Sequence, residues 1–250
     1  MFILAIAPNG QTAVSASSDT TLKLWNLETG REISILRGHH DSINAVAIAP
    51  DGQTAVSASS DTTLKLWNLE TGKEISTLRG HNNSVNAVVI TPDGQRVVSA
   101  SSDTILKLWD LETGREISTL RGHNNSVTAV AIPAAGKANA PNGQKALSAS
   151  DDHTLKLWDL ETGTEISNLT GHNHWVRGIA IAPDGQRAIS ASADHTLKLW
   201  DLDTAQEIST FTGESYIYCC AISPDGLTIA AGESSGRVHF LRLEGGSENE

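Results

Sequence analysis

Cysteine is scarce in this sequence, which has only Cys219 and Cys220 among its 250 residues. Neighbouring cysteines rarely pair with each other, because the disulfide geometry is strained. This scarcity excludes a disulfide framework and argues against a small secreted domain held together by disulfides. The composition is compatible with a reducing compartment, and we expect a cytoplasmic protein.

Basic residues and long apolar runs are also scarce. Lys and Arg total 18 against 29 Asp and Glu, for a net charge of −11, and the basic residues are scattered along the chain. Nucleic-acid affinity rests on clustered Lys and Arg, so this balance argues against nucleic acid and favours basic partners. No apolar run approaches the roughly 18 residues of a membrane helix, and the apolar start, residues 1–7, is too short for a signal sequence. We therefore predict no contact with nucleic acid or membrane.

What the sequence has in abundance is internal repetition. The segment Leu-Lys-Leu-Trp-(Asn or Asp)-Leu occurs five times, with its tryptophans 42, 42, 49 and 42 residues apart. These tryptophans are Trp25, Trp67, Trp109, Trp158 and Trp200. The long spacing comes from seven extra residues around 133–142, and in a degenerate sixth copy Leu241 takes the place of the tryptophan. A period of about 42 residues indicates a repeat architecture.

Each unit contains four short candidate strands separated by turn residues. In the second unit the candidates are residues 43–49, 54–60, 63–69 and 74–78, with a Pro-Asp-Gly turn after the first and a Glu-Thr-Gly turn after the third. Residues 63–69 alternate apolar and polar side chains, as a half-buried strand does. Four strands in a unit of this length match one blade of a β-propeller rather than a sandwich or a helical solenoid.

The repeated motifs resemble WD40 repeats. The resemblance rests on Gly-His and Trp-Asp pairs with Pro-Asp-Gly and Ser-Ala-Ser-x-Asp between them, and it covers the chain from Met1 to about Leu243. It implies an all-β fold, a β-propeller of six blades of four-stranded antiparallel sheets with the sixth incomplete. The expected blades span approximately residues 1–38, 39–80, 81–122, 123–171, 172–213 and 214–243. Residues 244–250 are polar and contain glycine, so we expect a disordered tail there.

Four of the units carry a fixed set of one histidine, one serine, one aspartate and one tryptophan. The sets are His39, Ser57, Asp61 and Trp67; His81, Ser99, Asp103 and Trp109; His123, Ser148, Asp152 and Trp158; and His172, Ser190, Asp194 and Trp200. Serine, histidine and aspartate could form a hydrolase triad, but such a site is normally built once. The resemblance implies instead a hydrogen-bonded chain inside each blade, from indole through hydroxyl and imidazole to carboxylate. We therefore predict a structural network, and no catalytic residue, metal site or cofactor.

A row of lysines and a row of glutamates also recur. The lysines occupy the polar phase of the third strand, so we expect them to be solvated. The glutamates begin the fourth strand, where they would offset the lysines and discourage pairing with other sheets. The lysines are Lys23, Lys65, Lys107, Lys156 and Lys198, and the glutamates are Glu32, Glu74, Glu116, Glu165 and Glu207. The alternative is that either row binds a partner.

Positions that break the repeat are candidates for recognition. Trp175 stands where other units have serine, Tyr216 occupies the matching position of the next unit, and Arg177 and Tyr218 fall two residues further along. The resemblance places these loops on one face, around a central channel. Trp, Tyr and Arg are enriched in interface hot spots, so these four residues are our candidate partner-binding residues. The alternative is that Trp175 and Tyr216 pack over the imperfect last blade and shield its core.

The sequence leaves ring closure open. The sixth unit has Ser235, Leu241 and Glu214 in place of Asp, Trp and His, and no fourth strand or Gly-His pair precedes the first unit. Three outcomes remain: a ring closed on five complete blades and a three-stranded sixth, an open arc that pairs with another chain, or a fragment of a longer array. Self-association or additional blades are therefore expected alternatives. The extra residues 134–140 are placed by the resemblance on the opposite face, where we expect a plain loop.

The resemblance implies a non-catalytic scaffold or adaptor whose partners are other proteins or peptides. The alternative is a sensor or regulatory propeller of a larger signalling protein, whose effector domain lies outside this chain, since no phosphate loop or kinase motif occurs in it. An enzyme or ligand-binding propeller would need an isolated cluster of charged or metal-binding residues at the channel mouth, where the repeats offer Asn, Ser and Thr. Fold alone does not choose among these.

Overall fold

A computed structural model describes residues 3–133 and 144–244 of the chain. Within these ranges the protein is all-β, with 23 strands in six antiparallel sheets, five of four strands and one of three. Every sheet consists of strands that follow one another in the sequence. The predicted fold class, a six-bladed propeller with an incomplete sixth blade, is confirmed. The loop expected at 134–140 and residues 245–250 of the tail expected at 244–250 lie outside the described residues.

Each sheet is one blade, numbered here in chain order. The first contains β1 (Ile3–Ile6), β2 (Thr12–Ala16), β3 (Thr21–Asn26) and β4 (Arg31–Arg37); the second β5 (Ile43–Ile48), β6 (Thr54–Ser59), β7 (Thr63–Asn68) and β8 (Lys73–Arg79); the third β9 (Val85–Ile90), β10 (Arg96–Ser101), β11 (Leu106–Asp110) and β12 (Glu116–Leu120). The fourth contains β13 (Val127–Ala131), β14 (Lys145–Ser150), β15 (Leu155–Asp159) and β16 (Thr164–Leu169); the fifth β17 (Val176–Ile181), β18 (Arg187–Ser192), β19 (Thr196–Asp201) and β20 (Gln206–Thr212); the sixth β21 (Ile217–Ile222), β22 (Thr228–Glu233) and β23 (Val238–Arg242).

The turns between strands are set by short polar residues and glycine. After β5, the Asp51 carboxylate accepts a hydrogen bond from the amide of Gln53 over 2.8 Å, and Gly52 adopts a positive φ of 69°. After β7, Asn68 Oδ1 accepts from the amide of Thr71 over 2.8 Å, and Gly72 has a φ of 66°. Aspartate and asparagine side chains stabilise turns in this way, and glycine adopts positive φ without steric cost.

The hydrophobic core lies between blades rather than inside one. In the second blade Ala55 and Trp67 project toward the first blade, and we call this side of a blade its tryptophan face. They pack against Val14, Leu22 and Leu24 of the first blade, which belong to its leucine face. The same arrangement recurs at each of the five contacts between consecutive blades in the described chain. A single blade therefore has no core of its own.

The described residues leave one face of the first blade and one face of the sixth blade uncovered. Leu4, on the tryptophan face of the first blade, is 59% exposed, whereas Val46 at the equivalent position of the second blade is 8% exposed. On the leucine face of the sixth blade, Phe240 is 75% exposed, whereas the equivalent Leu66 is 2% exposed. Within the described residues the six blades thus form an arc that is not sealed between its two ends.

The prediction that the lysine row is solvated was wrong for four of its five members. Lys65, Lys107, Lys156 and Lys198 are buried. Lys107 Nζ donates to Glu116 Oε2 over 2.7 Å and to Thr119 Oγ1 over 2.9 Å. The reason is that the Gly-His linker from the preceding blade lies over this side of the sheet.

Gly80 shows how closely that linker approaches. A Cβ atom on Gly80 would lie 3.2 Å from both Glu116 Oε2 and the Trp109 ring. A residue larger than glycine would therefore push the linker away from the lysine, glutamate and tryptophan beneath it. In the first blade no linker among the described residues lies over this side of the sheet, and the Lys23 side chain is 37% exposed.

Candidate functional site

Each of the four predicted sets forms a continuous chain of hydrogen bonds. In the third blade Trp109 Nε1 donates to Ser99 Oγ over 2.8 Å, Ser99 Oγ lies 2.7 Å from His81 Nε2, and His81 Nδ1 lies 2.8 Å from Asp103 Oδ2. The matching distances in the other three sets are 2.6 to 2.8 Å. Because the histidine belongs to the linker between two blades, the chain of bonds fixes that linker to the sheet.

The charges in these sets follow from their surroundings. Burial opposes ionisation of Asp103, but hydrogen bonds from His81, the Asn82 amide and Ser101 lower its pKa to about 2. The same balance lowers the pKa of Asp61, Asp152 and Asp194. Burial also lowers the pKa of His39, in spite of the nearby Asp61. The imidazole of His39 is therefore neutral, with Nδ1–H donating to the carboxylate and Nε2 accepting from the serine hydroxyl.

The serines of these sets cannot reach a substrate. Ser57, Ser99, Ser148 and Ser190 are all 0% exposed. Each hydroxyl oxygen already accepts a hydrogen bond from an indole. A catalytic serine needs an open side for the substrate and donors for the oxyanion. The geometry fits a structural network and gives a nucleophile no access.

The end blades depart from this arrangement. In the first blade Trp25 Nε1 donates to Ser15 Oγ over 2.9 Å, but no histidine among the described residues joins them. In the sixth blade Glu233 fills the role that the aspartate has in the other blades. Its carboxylate accepts a hydrogen bond from the Glu214 amide and lies 2.9 Å from His239 Nε2. The hydrogen bonds from His239 and Ser235 lower the pKa of Glu233 to about 2. The sequence did not reveal this substitute, because Glu233 and His239 stand where other blades have serine and lysine.

Aromatic rings gather at and beside the rim of a cavity of about 1090 Å³ at the centre of the arc, which residues from all six blades line. We call this group the aromatic row; its members are His153, His174, Trp175, His195, Tyr216 and Tyr218. Trp175 and Tyr216 are each 43% exposed and Tyr218 is 48% exposed. His174 lies between the first two, with ring centroids 4.7 Å from Trp175 and 6.3 Å from Tyr216. The four partner-binding candidates all line this cavity.

The three histidines of the row were missed at the sequence level, although the signal was present. His153 and His195 replace the threonines found at Thr62 and Thr104, and they keep the same left-handed backbone, with φ of 72° and 70°. The rings of His153 and His174 stack at 5.9 Å, and His195 meets Tyr216 at 5.1 Å. The side chains have therefore changed on an unchanged backbone. These histidines depart from the repeat just as Trp175 does, so the same criterion could have identified them from the sequence.

Arg177 breaks a second pattern. At the matching position of earlier blades the side chain ties one first strand to the next: Asn44 Nδ2 donates to the Val85 carbonyl over 3.0 Å, and Thr128 Oγ1 to the Val176 carbonyl over 2.6 Å. Arg177 instead places its guanidinium 4.7 Å from the centroid of the Trp175 ring and 3.4 Å from Asp151 Oδ1. At Arg177, contacts with an aromatic ring and a carboxylate thus replace the hydrogen bond that links neighbouring first strands in the earlier blades.

Asp151 adds a half-buried carboxylate to this group. Its Oδ1 has no hydrogen-bond donor within the described residues, although Arg177 lies close enough for a weak ion pair. Burial raises the pKa of Asp151, and the charge of Arg177 only partly offsets this. The rim therefore combines apolar rings with one cation and one incompletely satisfied acceptor.

In the described part of the chain, no three His, Cys, Asp or Glu side chains converge in a way that could hold a metal ion. None of its residues forms a helix long and apolar enough to cross a bilayer. Cys219 and Cys220 are both free thiols.

Comparison with known protein families places this geometry in context. The family model described as "WD domain, G-beta repeat" matches residues 3–26, 30–68, 163–201 and 205–240, which together make up more than half of the chain. A β-propeller model described as WDR41 matches residues 73–170. The matched segments carry the Trp-containing third strands and the hydrogen-bond sets described above. The chain belongs to the WD40 repeat family, as its repeated motifs had indicated.

Proposed function

We propose that this protein is a non-catalytic scaffold that binds another protein or a peptide at the aromatic row. WD40 propellers generally mediate protein–protein interaction and are typically not enzymes. The observation that carries the proposal is the grouping of Trp175, Tyr216 and Tyr218, all strongly exposed, at the rim of one cavity. Grouped exposed aromatics are unusual on a surface that binds nothing.

The surroundings of the row support a binding role over the shielding alternative. The core between the fifth and sixth blades is built from aliphatic residues such as Ile189, Leu197 and Ile217, and neither Trp175 nor Tyr216 belongs to it. The ring of Trp175 contacts His174 and Arg177, which are themselves at the surface of the cavity. Removing Trp175 would thus take away an anchor for a partner without opening the core.

The chemistry of the rim indicates what a partner would offer. Flat apolar rings bind aliphatic or aromatic side chains, and Trp, Tyr and Arg carry most of the free energy at many interfaces. The Asp151 carboxylate lines the same cavity, where it would accept a hydrogen bond from a donor on the partner. A peptide that carries an apolar side chain next to an amide or cationic donor fits these groups.

The test compares Trp175→Ala and Tyr216→Ala with a matched control, Ile75→Ala. Ile75 is 55% exposed on an outer strand far along the chain from the row. Proteins retained by the tagged wild-type chain would be quantified by mass spectrometry alongside the variants. We expect the row variants to lose a partner about thirtyfold or more, as for an interface hot spot, with an unchanged melting temperature. A fall in melting temperature with retained binding would support shielding instead.

The remaining expectations from the sequence stay predictions. They are location in the cytoplasm, lack of binding to nucleic acid or membrane, and a possible role as the regulatory propeller of a larger signalling protein.

A further inference from the structure

We propose that the outer edge of β23 pairs with β23 of a second copy of this chain, so that two sixth blades form one continuous six-stranded sheet. This surface lies on the periphery of the arc, and the proposal does not depend on the aromatic row. Its starting point is the absence of a fourth strand from the sixth sheet within the described residues.

The outer edge of β23 differs from the other five outer edges. Each outer strand of blades one to five meets its neighbour through a register shift. The outer strands β4 and β8 also carry three charged residues each, whereas β12, β16 and β20 carry one glutamate each. Charges and bulges discourage a sheet edge from pairing with another sheet. β23 differs from all five because it pairs with β22 without any register shift. Its single fully charged residue, Arg242, stands at the end of the strand.

The backbone groups available for pairing follow from the register of β22 and β23. The Glu233 amide donates to the Arg237 carbonyl, and the Leu243 amide to the Leu227 carbonyl. Since hydrogen-bonded pairs alternate in an antiparallel ladder, residues 237, 239, 241 and 243 bond inward to β22. The amides and carbonyls of Val238, Phe240 and Arg242 therefore point to the free edge.

This edge is complementary to itself. An antiparallel copy with Phe240 opposite Phe240 pairs the whole of β23, because Val238 then lies opposite Arg242 of the second copy at both ends. All three outward-facing residues would exchange hydrogen bonds, and no two like charges would face each other. The two Phe240 rings, each 75% exposed in the single chain, would lie side by side, and aromatic pairs stabilise adjacent strands. Two-fold pairing of this kind closes on itself and needs no other partner.

A second copy that packed on the uncovered faces at the ends of the arc is the main competing arrangement. In that case the leucine face of the sixth blade would cover the tryptophan face of the first blade of another chain. Leu4 would then be buried together with Phe240, whereas edge pairing leaves Leu4 exposed. Leu4 is therefore the control position for the test.

The experiment measures the mass of the full chain by light scattering and sedimentation over a wide range of concentration. We expect the wild type to reach twice the 26.5 kDa mass of one chain, more readily at high salt because each chain carries a net charge of −11. Phe240→Lys should weaken dimerisation about a hundredfold, because it places two like charges opposite each other. Leu4→Lys should dimerise like the wild type. A monomeric wild type, or equal loss of the dimer in both variants, would overturn the proposal.

A second measurement uses the wild type alone, and a proline variant adds a separate check. In the wild type, hydrogen exchange at the amides of Val238, Phe240 and Arg242 should slow as concentration rises, while the amides of Leu4 and Ile6 should not respond. Phe240→Pro removes one of these outward amides without touching the ladder to β22, and edge strands accept proline at such positions. We expect it to weaken the dimer more than Phe240→Ala does. If the exchange of these amides is independent of concentration while the protein is dimeric, the contact lies elsewhere and edge pairing is wrong.

Discussion

His81 and Asp103 are 22 residues apart in the sequence, yet His81 Nδ1 lies 2.8 Å from Asp103 Oδ2. The histidine is in the linker that enters the third blade, and the aspartate is in the turn between β10 and β11. The aspartate also accepts a hydrogen bond from the Asn82 amide over 2.9 Å. One carboxylate thereby holds both the side chain and the backbone of the linker against the blade.

Asp103→Ala should lower the free energy of unfolding by about 1–3 kcal/mol, because it leaves the imidazole and the linker amide without their acceptor. Urea unfolding followed by tryptophan fluorescence measures the change. Asp19→Ala in the first blade is the matched control, since Asp19 accepts from Thr21 and no described histidine contacts it. Equal losses in both variants would contradict the assigned role, as would a hydrolase activity that disappears in Ser99→Ala.

Stability should fall as the solution is acidified. The pKa of Asp103 is about 2 in the fold against 3.8 ordinarily, so its contribution is complete above pH 3.8 and is lost as the pH falls through about 2. Burial holds the pKa of His39 below its ordinary 6.5, so below pH 6.5 the unfolded chain takes up a proton that the folded chain does not. Both effects have the same sign. The melting temperature should therefore be level between about pH 7 and 8, below the ordinary pKa of the Cys220 thiol, and decline below pH 6.5, with a smaller acid decline below pH 4 in Asp103→Ala.

Two ion pairs of identical length should differ in their contribution to stability. Lys65 Nζ lies 2.7 Å from Glu74 Oε2, and Lys23 Nζ lies 2.7 Å from Glu32 Oε2, but the Lys65 side chain is 9% exposed and that of Lys23 is 37% exposed. Glu74→Gln leaves a buried ammonium without its charge partner, so it should cost about 1–3 kcal/mol. Glu32→Gln should cost less than about 1 kcal/mol, as for a surface pair. Denaturant titration of the two variants makes the comparison, and equal costs would show that burial of the lysine has no effect.

The two neighbouring thiols should react differently. Cys219 is exposed, whereas the thiol of Cys220 lies 3.7 Å from the Ile189 carbonyl of the fifth blade. Burial, and to a lesser extent the charge of Cys219, raises the pKa of Cys220 to about 12. Because the thiolate is the reactive form, iodoacetamide at pH 8 should modify one thiol per native chain and both in denaturant, as counted by mass spectrometry. Native Cys219→Ser should take up almost none, and rapid modification of that variant would contradict the burial of Cys220.

The parts of the fold that depend on the repeat could be predicted from the sequence. The spacing of Trp67 and Trp109 fixed the unit, and turn residues such as Gly52 marked where strands begin and end. The prediction that Lys65 is solvated was wrong because it assumed that the polar side of an alternating strand faces water. In a radial stack of sheets both sides of an inner strand are covered. A lysine on such a strand therefore needs an acidic side chain beside it, which for Lys65 is Glu74.

The candidate site was predictable only in part. Trp175 and Tyr216 were found because they break the repeat, but their distance depends on how the blades turn around the channel, which no local pattern encodes. The structure places His174 between the two rings. The exposure of Phe240 was not predicted from the sequence either, since its local pattern matches that of the buried Leu199. The two positions differ in the described structure because a sheet packs on the fifth blade at Leu199 and none of the described sheets packs on the sixth blade at Phe240.

Every core in the described arc is shared by two blades, so the number of neighbours determines how firmly each blade is held. Detaching the first or the sixth blade breaks one shared core, whereas detaching an inner blade breaks two. Unfolding should accordingly start at the first and sixth blades and advance toward the third and fourth blades.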